Sequence, residues 1–121
     1  MMVALINSPD VSERVREHHY DDAEDWHANE AETSLMLALK PDMVREEKII
    51  DADDADRTID CVFSHPVNRT STNGVTGKPS LASKEKGQQL FGWMVEDLSD
   101  LVRKGLKELP PLPHSYFDKI I

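Results

Sequence analysis

The sequence predicts an α/β domain dominated by helix, with two short strands. Three observations carry that expectation. Apolar residues recur at i, i+3, i+4 and i+7 from Leu90 to Leu106, a shorter helical stripe runs from Ala31 to Leu39, and β-branched runs stand at residues 3–7 and 58–64. At 121 residues the chain has room for one modest core.

The elements follow in order. VALIN, residues 3–7, is a short apolar run closed by Ser8-Pro9-Asp10 and reads as a buried strand ending in a turn. Residues 10–19 place Val11 and Val15 four apart among charges, the pattern of a short surface helix. Residues 18–28 have no period and read as a loop. Ala31, Leu35, Ala38 and Leu39 then define a helix over 30–40, which Pro41 stops because it lacks an amide hydrogen. PDMV, 41–44, is expected to add one turn, and residues 51–56 to form a solvated acidic loop. TIDCVFS, 58–64, reads as the second strand. Residues 65–80, with Asn73-Gly74, Gly77 and Pro79, read as loop and turn. Ser83 is the expected N-cap of a helix over 84–107, about 36 Å long.

That last helix carries eight large apolar side chains, and two strands and a short helix offer little surface to cover them. A core completed by another chain is therefore expected, in keeping with a mean hydropathy of -0.52 and only 39% hydrophobic residues. LPPLPHSYFDKII, 109–121, is a proline-rich tail suited to an extended path over a neighbouring surface.

The formal net charge of -9 excludes the basic stripe that nucleic-acid binding needs and disfavours anionic membranes. No apolar run is long enough to span a bilayer, and no signal-peptide pattern follows Met1, so a cytoplasmic protein is expected. The single Cys61 cannot form an internal disulfide, which fits a reducing compartment.

Candidate chemistry concentrates around His27. His18, His19, Asp21, Asp22 and His27 have metal-ligand side chains, but their spacing is not diagnostic, and the plainer reading is a solvated acidic loop. Ser80 or Ser83 could be set against His27 or His65 as nucleophile and base, yet neither serine lies in a G-x-S-x-G elbow and a helix cap explains each better. GVTGKP, 74–79, precedes a helix without the Walker spacing and reads as a turn. Glu30 and Glu32, two apart, point to different helix faces.

HANEAETSLMLALKPDMV at 27–44 and GVTGKPSLASKEKGQQLF at 74–91 together resemble the creatininase family of metal-dependent amidohydrolases. Members carry a His-Ala-Gly-Glu-x-Glu-Thr-Ser-like motif entering a helix that ends in Pro-Asp-Leu-Val. A Gly-Val-x-Gly-Asp-Pro-like turn and Ala-Thr-x-Glu-Lys-Gly follow at the start of the last long helix. The match spans roughly residues 3–107, with Asn29 where glycine is usual and Lys78 where aspartate is common. The family's metal-bearing segments, Gly-Ala-x-Glu-x-His-Gly-like and Asn-Gly-His-like, have no counterpart in the 121 residues.

The resemblance implies the C-terminal portion of a three-layer α/β/α fold over residues 1–108, followed by the tail at 109–121. It implies hydrolysis of a cyclic amide or formamide-type C–N bond, with His27 moving protons and Glu30 and Glu32 supporting the loop. This chain alone is expected to hold no metal and to lack activity. Zinc or manganese would enter with a metal-bearing N-terminal half, and the implied partners are that half or further copies in a homo-oligomer. The alternative is a non-catalytic fragment serving as an oligomeric structural or protein-binding module. Whether the chain is an enzyme is left open by the sequence.

Overall fold

The computed structural model describes residues 12–23 and 27–119. The strand expected at 3–7 lies outside them. Helix α1 spans Glu13–His19, with Ser12 as N-cap accepting from the Val15 amide at 3.3 Å. Helix α2 spans Glu30–Leu39 behind the Asn29 cap and gives way to a 3₁₀ turn at Pro41–Met43, where proline occupies the first position it tolerates. Two one-turn helices follow, α3 at Glu46–Ile49 and α4 at Val67–Thr70. After a 3₁₀ turn at Pro79–Leu81 comes the long helix α5, Lys84–Gly105, capped by the Ser83 hydroxyl, which accepts from the Lys86 amide at 3.2 Å. A last 3₁₀ turn covers Tyr116–Lys119.

Helices dominate the described residues, and extended pairing is confined to two antiparallel bridges, His27 with Thr76 and Asp54 with Gly77. The strand expected at 58–64 does not form. Asp56 accepts from both the amide (2.8 Å) and the hydroxyl (2.6 Å) of Thr58. The Cys61 amide then closes a turn on the Thr58 carbonyl at 2.8 Å, and Asp60 takes a left-handed conformation. A lone β-branched run needs a neighbouring strand for its backbone groups; here local side-chain and turn bonds take them instead. Val62 and Phe63 are consequently 89% and 77% exposed.

The core sits between α2 and α5, where Ala31 and Leu90 meet Val15 of α1, with Leu35, Trp93 and Met94 packed around them. The two helices approach closely because Gly87 has no side chain: a Cβ there would lie 1.8 Å from the Ser34 carbonyl oxygen. The crossing is locked by the buried Ser34, whose hydroxyl accepts from the Ser83 amide at 3.1 Å. At the far side, Arg14 of α1 donates to Asp97 (2.9 and 2.5 Å) and to Glu96 (2.5 Å), and Ser12 also bonds Asp97. The Arg14 guanidinium and the Ser12 hydroxyl hold the Asp97 carboxyl below its usual range. Of the eight large apolar residues on the long helix, for which the sequence offers little covering surface, only Leu90 is buried.

Candidate functional site

The loop before α2 is built by its own polar side chains. Asn29 is fully buried and caps the helix by accepting from the Glu32 amide at 3.1 Å. Its amide group donates to the His19 carbonyl (2.7 Å) and to Asp22 (2.9 Å). Asp22 reaches onward to the Glu30 amide at 3.0 Å and the Lys78 amide at 2.6 Å. The two sequence changes at 29 and 78 thus differ in kind. Asn29 contributes its side chain to the loop's structure, whereas Asp22 uses only the backbone of Lys78. Gly77 must be glycine here for two reasons: its φ is +117°, and a Cβ would lie 2.4 Å from an Asp22 oxygen.

His27 is exposed, and its backbone is pinned to Thr76 from both sides. The His27 amide donates to the Thr76 hydroxyl at 2.8 Å, and the Thr76 amide donates to the His27 carbonyl at 2.9 Å. Thr76 is itself fully buried. The next residue, Ala28, has φ +49°, a left-handed conformation that costs a residue with a Cβ about 1–2 kcal/mol. Two bonds from α2 hold it there: Glu32 accepts from the Ala28 amide at 2.6 Å, and the Thr33 hydroxyl donates to the Ala28 carbonyl at 3.0 Å. The Asn29 and Glu32 bonds resemble a capping box in which Glu32 reaches the Ala28 amide, one residue before the cap, and the two acidic residues Glu30 and Glu32 lie in the favourable first turn.

The structure sets Glu32, in the first turn of α2, against the loop that carries His27, but takes Glu30 elsewhere. Glu30 pairs with Lys86 of α5, on a different face from Glu32. Beside the loop opens a groove of about 510 Å³, bordered by Ala28, Glu32, Thr33, Met36, Val44, Arg45, Ile49 and Val75. Its walls are largely apolar, with Glu32, Arg45 and Lys48 supplying charge.

The other candidates take structural places. His18 donates from Nδ1 to the Arg14 carbonyl at 2.9 Å and lies edge-on to Trp93. His19 is buried in α1, and that burial lowers its pKa against the opposing pull of Glu32 and Asp22. Ser80 donates to Asp53 at 2.6 Å while its amide donates to the same carboxylate at 2.9 Å.

The acidic stretch 51–56 is not merely a solvated loop, as Asp53 and Asp54 organise the turn at 71–80. Asp54 is buried and accepts from Arg57 (2.7 Å), Ser71 (2.9 Å), and the Thr72 amide (2.7 Å) and hydroxyl (3.0 Å). The Arg57 guanidinium, then the Thr72 amide, hold its carboxyl well below the ordinary range. Nothing local in the sequence marks Asp54 out from its acidic neighbours, because its partners lie up to 18 residues away.

A second recess, of about 460 Å³, is lined by Asp21, Asp22, Asp53, Asp54 and Asp56. Asp22, Asp53, Asp54 and Asp56 are already engaged in the hydrogen bonds described above. Among the described residues, no three histidine, cysteine, aspartate or glutamate side chains come together in a set that could hold a metal ion. No described helix is long and apolar enough to cross a membrane.

Comparison with known proteins gives one family. A family model described as "Creatininase: Creatinine amidohydrolase" matches residues 1–102. A creatinine amidohydrolase of Pseudomonas putida is 35% identical over 85 residues, which make up 70% of this chain and 32% of that protein. Among solved structures, a mutant creatininase of the Zn-Zn type matches with a TM-score of 0.67 at 27% identity. A mutant creatininase complexed with creatine matches with a TM-score of 0.69 at 27% identity. A manganese creatininase matches with a TM-score of 0.67 at 28% identity. Each of these matches covers 88% of this chain and 44% of the solved one. The chain therefore spans about a third of the curated relative and less than half of the solved chains.

Proposed function

Because the chain belongs to the creatininase family, with its family-model match running over residues 1–102, we propose that it is the C-terminal portion of an amidohydrolase cleaving a cyclic amide or formamide-type C–N bond. In this reading residues 1–108 form one part of a three-layer α/β/α domain, and 109–121 are a proline-rich tail. The complete assembly is cytoplasmic and is formed with a complementary N-terminal half, in a homo-oligomer.

The observation that carries the reading is the His27–Thr76 backbone pair, which joins the two segments bearing the family motifs into one loop cluster. An exposed imidazole whose own backbone amide and carbonyl are both held by Thr76 can exchange protons with a group in the adjacent groove. Glu32, by holding the Ala28 amide, acts as a positioning residue for His27. The described residues do not make a metal site, so zinc or manganese would need ligands from elsewhere.

Mixing the chain with the part of the Pseudomonas putida protein that it does not match, in the presence of zinc or manganese, tests the reading by creatinine hydrolysis. The chain alone should be inactive and the mixture active. His27→Ala should then lower turnover about 10²- to 10⁴-fold, while His65→Ala, on an exposed loop, should not. Equal effects of the two substitutions would overturn the role of His27. The second reading, a non-catalytic binding module, is favoured by the apolar residues left exposed on α5.

A further inference from the structure

Helix α5 has two apolar faces, and this fold uses one. Leu90, Trp93 and Met94 pack on the core with Gly87 at the crossing. Phe91, one residue and hence about 100° further round, begins a second row continued by Val95, Leu98 and Val102 at spacings of four, three and four. These side chains are 43%, 49%, 40% and 51% exposed, although they lie in the middle of the longest element. The positions flanking the row, Gly92 and Ser99 on one side and Met94 and Leu101 on the other, carry no charge in a chain whose net charge is -9. A contiguous uncharged apolar ridge of this kind is what an interaction surface presents.

Two facts bear on its occupant. The row falls within residues 1–102, the part matched by the family model, whereas the exposed Leu106, Leu109, Leu112, Tyr116 and Phe117 fall beyond it. The solved relatives also contain more than half a chain with no counterpart here, since the superposition covers 44% of each. The ridge is therefore part of the family domain, and the polypeptide available to cover it is the rest of that domain. Resting on the functional reading above, we propose that the Phe91–Val95–Leu98–Val102 ridge of α5 is the docking face for the remaining portion of the creatininase fold. That portion would present an apolar face to it. A second copy of this chain is the competing occupant, and it would bring a second charge of -9.

The test is co-expression of the full chain with the portion of the Pseudomonas putida protein outside the 85-residue match, followed by size-exclusion chromatography with light scattering. A one-to-one complex is expected. Val95→Glu and Leu98→Glu, placed on exposed positions so that circular dichroism stays unchanged, should abolish co-elution, and Leu109→Glu should not. Three results overturn the proposal: co-elution unaffected by the ridge substitutions, recovery of the probe only as insoluble material whether or not this chain is present, or a homodimer that the ridge substitutions dissolve in place of the complex. A ridge-dependent complex without hydrolysis supports the docking face while refuting the catalytic reading. Hydrolysis unaffected by Leu98→Glu does the opposite.

Discussion

Replacing Gly87 by alanine should unfold this protein more easily, although alanine is the better helix former. In an open helix the exchange would stabilise by about 1 kcal/mol. At Gly87 the new Cβ would stand 1.8 Å from the Ser34 carbonyl oxygen, 2.4 Å from its carbon and 2.9 Å from the Ala38 Cβ. Restoring van der Waals distance requires α2 and α5 to separate locally by about 1.5 Å. Two of the three nearest atoms are backbone, so no rotamer change relieves the contact. Overpacking of this kind costs about 1–3 kcal/mol. The separation also strains the Ser83-to-Ser34 hydrogen bond, worth about 0.5–1.5 kcal/mol. The propensity gain offsets part of this, leaving a net loss of about 2 kcal/mol and a Tm lower by roughly 8 °C. Gly92 of the same helix has nothing within 4 Å of a built Cβ, so Gly92→Ala is the matched control and should gain up to about 1 kcal/mol. Urea and thermal unfolding of both variants followed by circular dichroism measure the difference. A Gly87→Ala protein as stable as Gly92→Ala would refute the close crossing as the site of helix pairing.

Other consequences follow from the loops. Asn29→Ala removes a helix cap and strands the Asp22 and His19 acceptors, and should cost about 2 kcal/mol in urea unfolding. His19 titrates below its ordinary value of 6.5 in the folded chain, so the unfolded chain binds the proton first. Stability should therefore fall as pH drops below about 6.5, and His19→Gln should flatten that part of the profile, measured as urea midpoints between pH 7 and 5. Asp54 has the same sign at lower pH. Its depressed carboxyl contributes stability above the usual carboxylate range that is lost as the pH falls below about 4. Asp54→Asn should remove this dependence and raise amide exchange at Thr72 and Gly77, read by NMR.

What the sequence by itself determined is what depends on residues within one or two helical turns of each other. The Ser83 cap, the stop at Pro41 and the boundaries of α2 and α5 were legible because caps, proline chemistry and the 3.6-residue period act over four residues or fewer. The loop motif around His27 was legible as a family resemblance, and the opposite faces of Glu30 and Glu32 as simple spacing. The strand at 58–64 failed for the converse reason: β-propensity describes a fit to neighbouring strands, and among the described residues no strand stands beside it. Only the tertiary structure decided that Thr76 pins His27, that Asp22 reaches Lys78, and that Asp54 is buried while its acidic neighbours are not. Arg57 aside, those partners are 17 to 56 residues apart, so their pairing rests on how the chain folds back on itself and not on local spacing. A carboxylate's identity is written in the sequence, but the amides it finds are set by which distant backbone the packing brings within hydrogen-bonding distance.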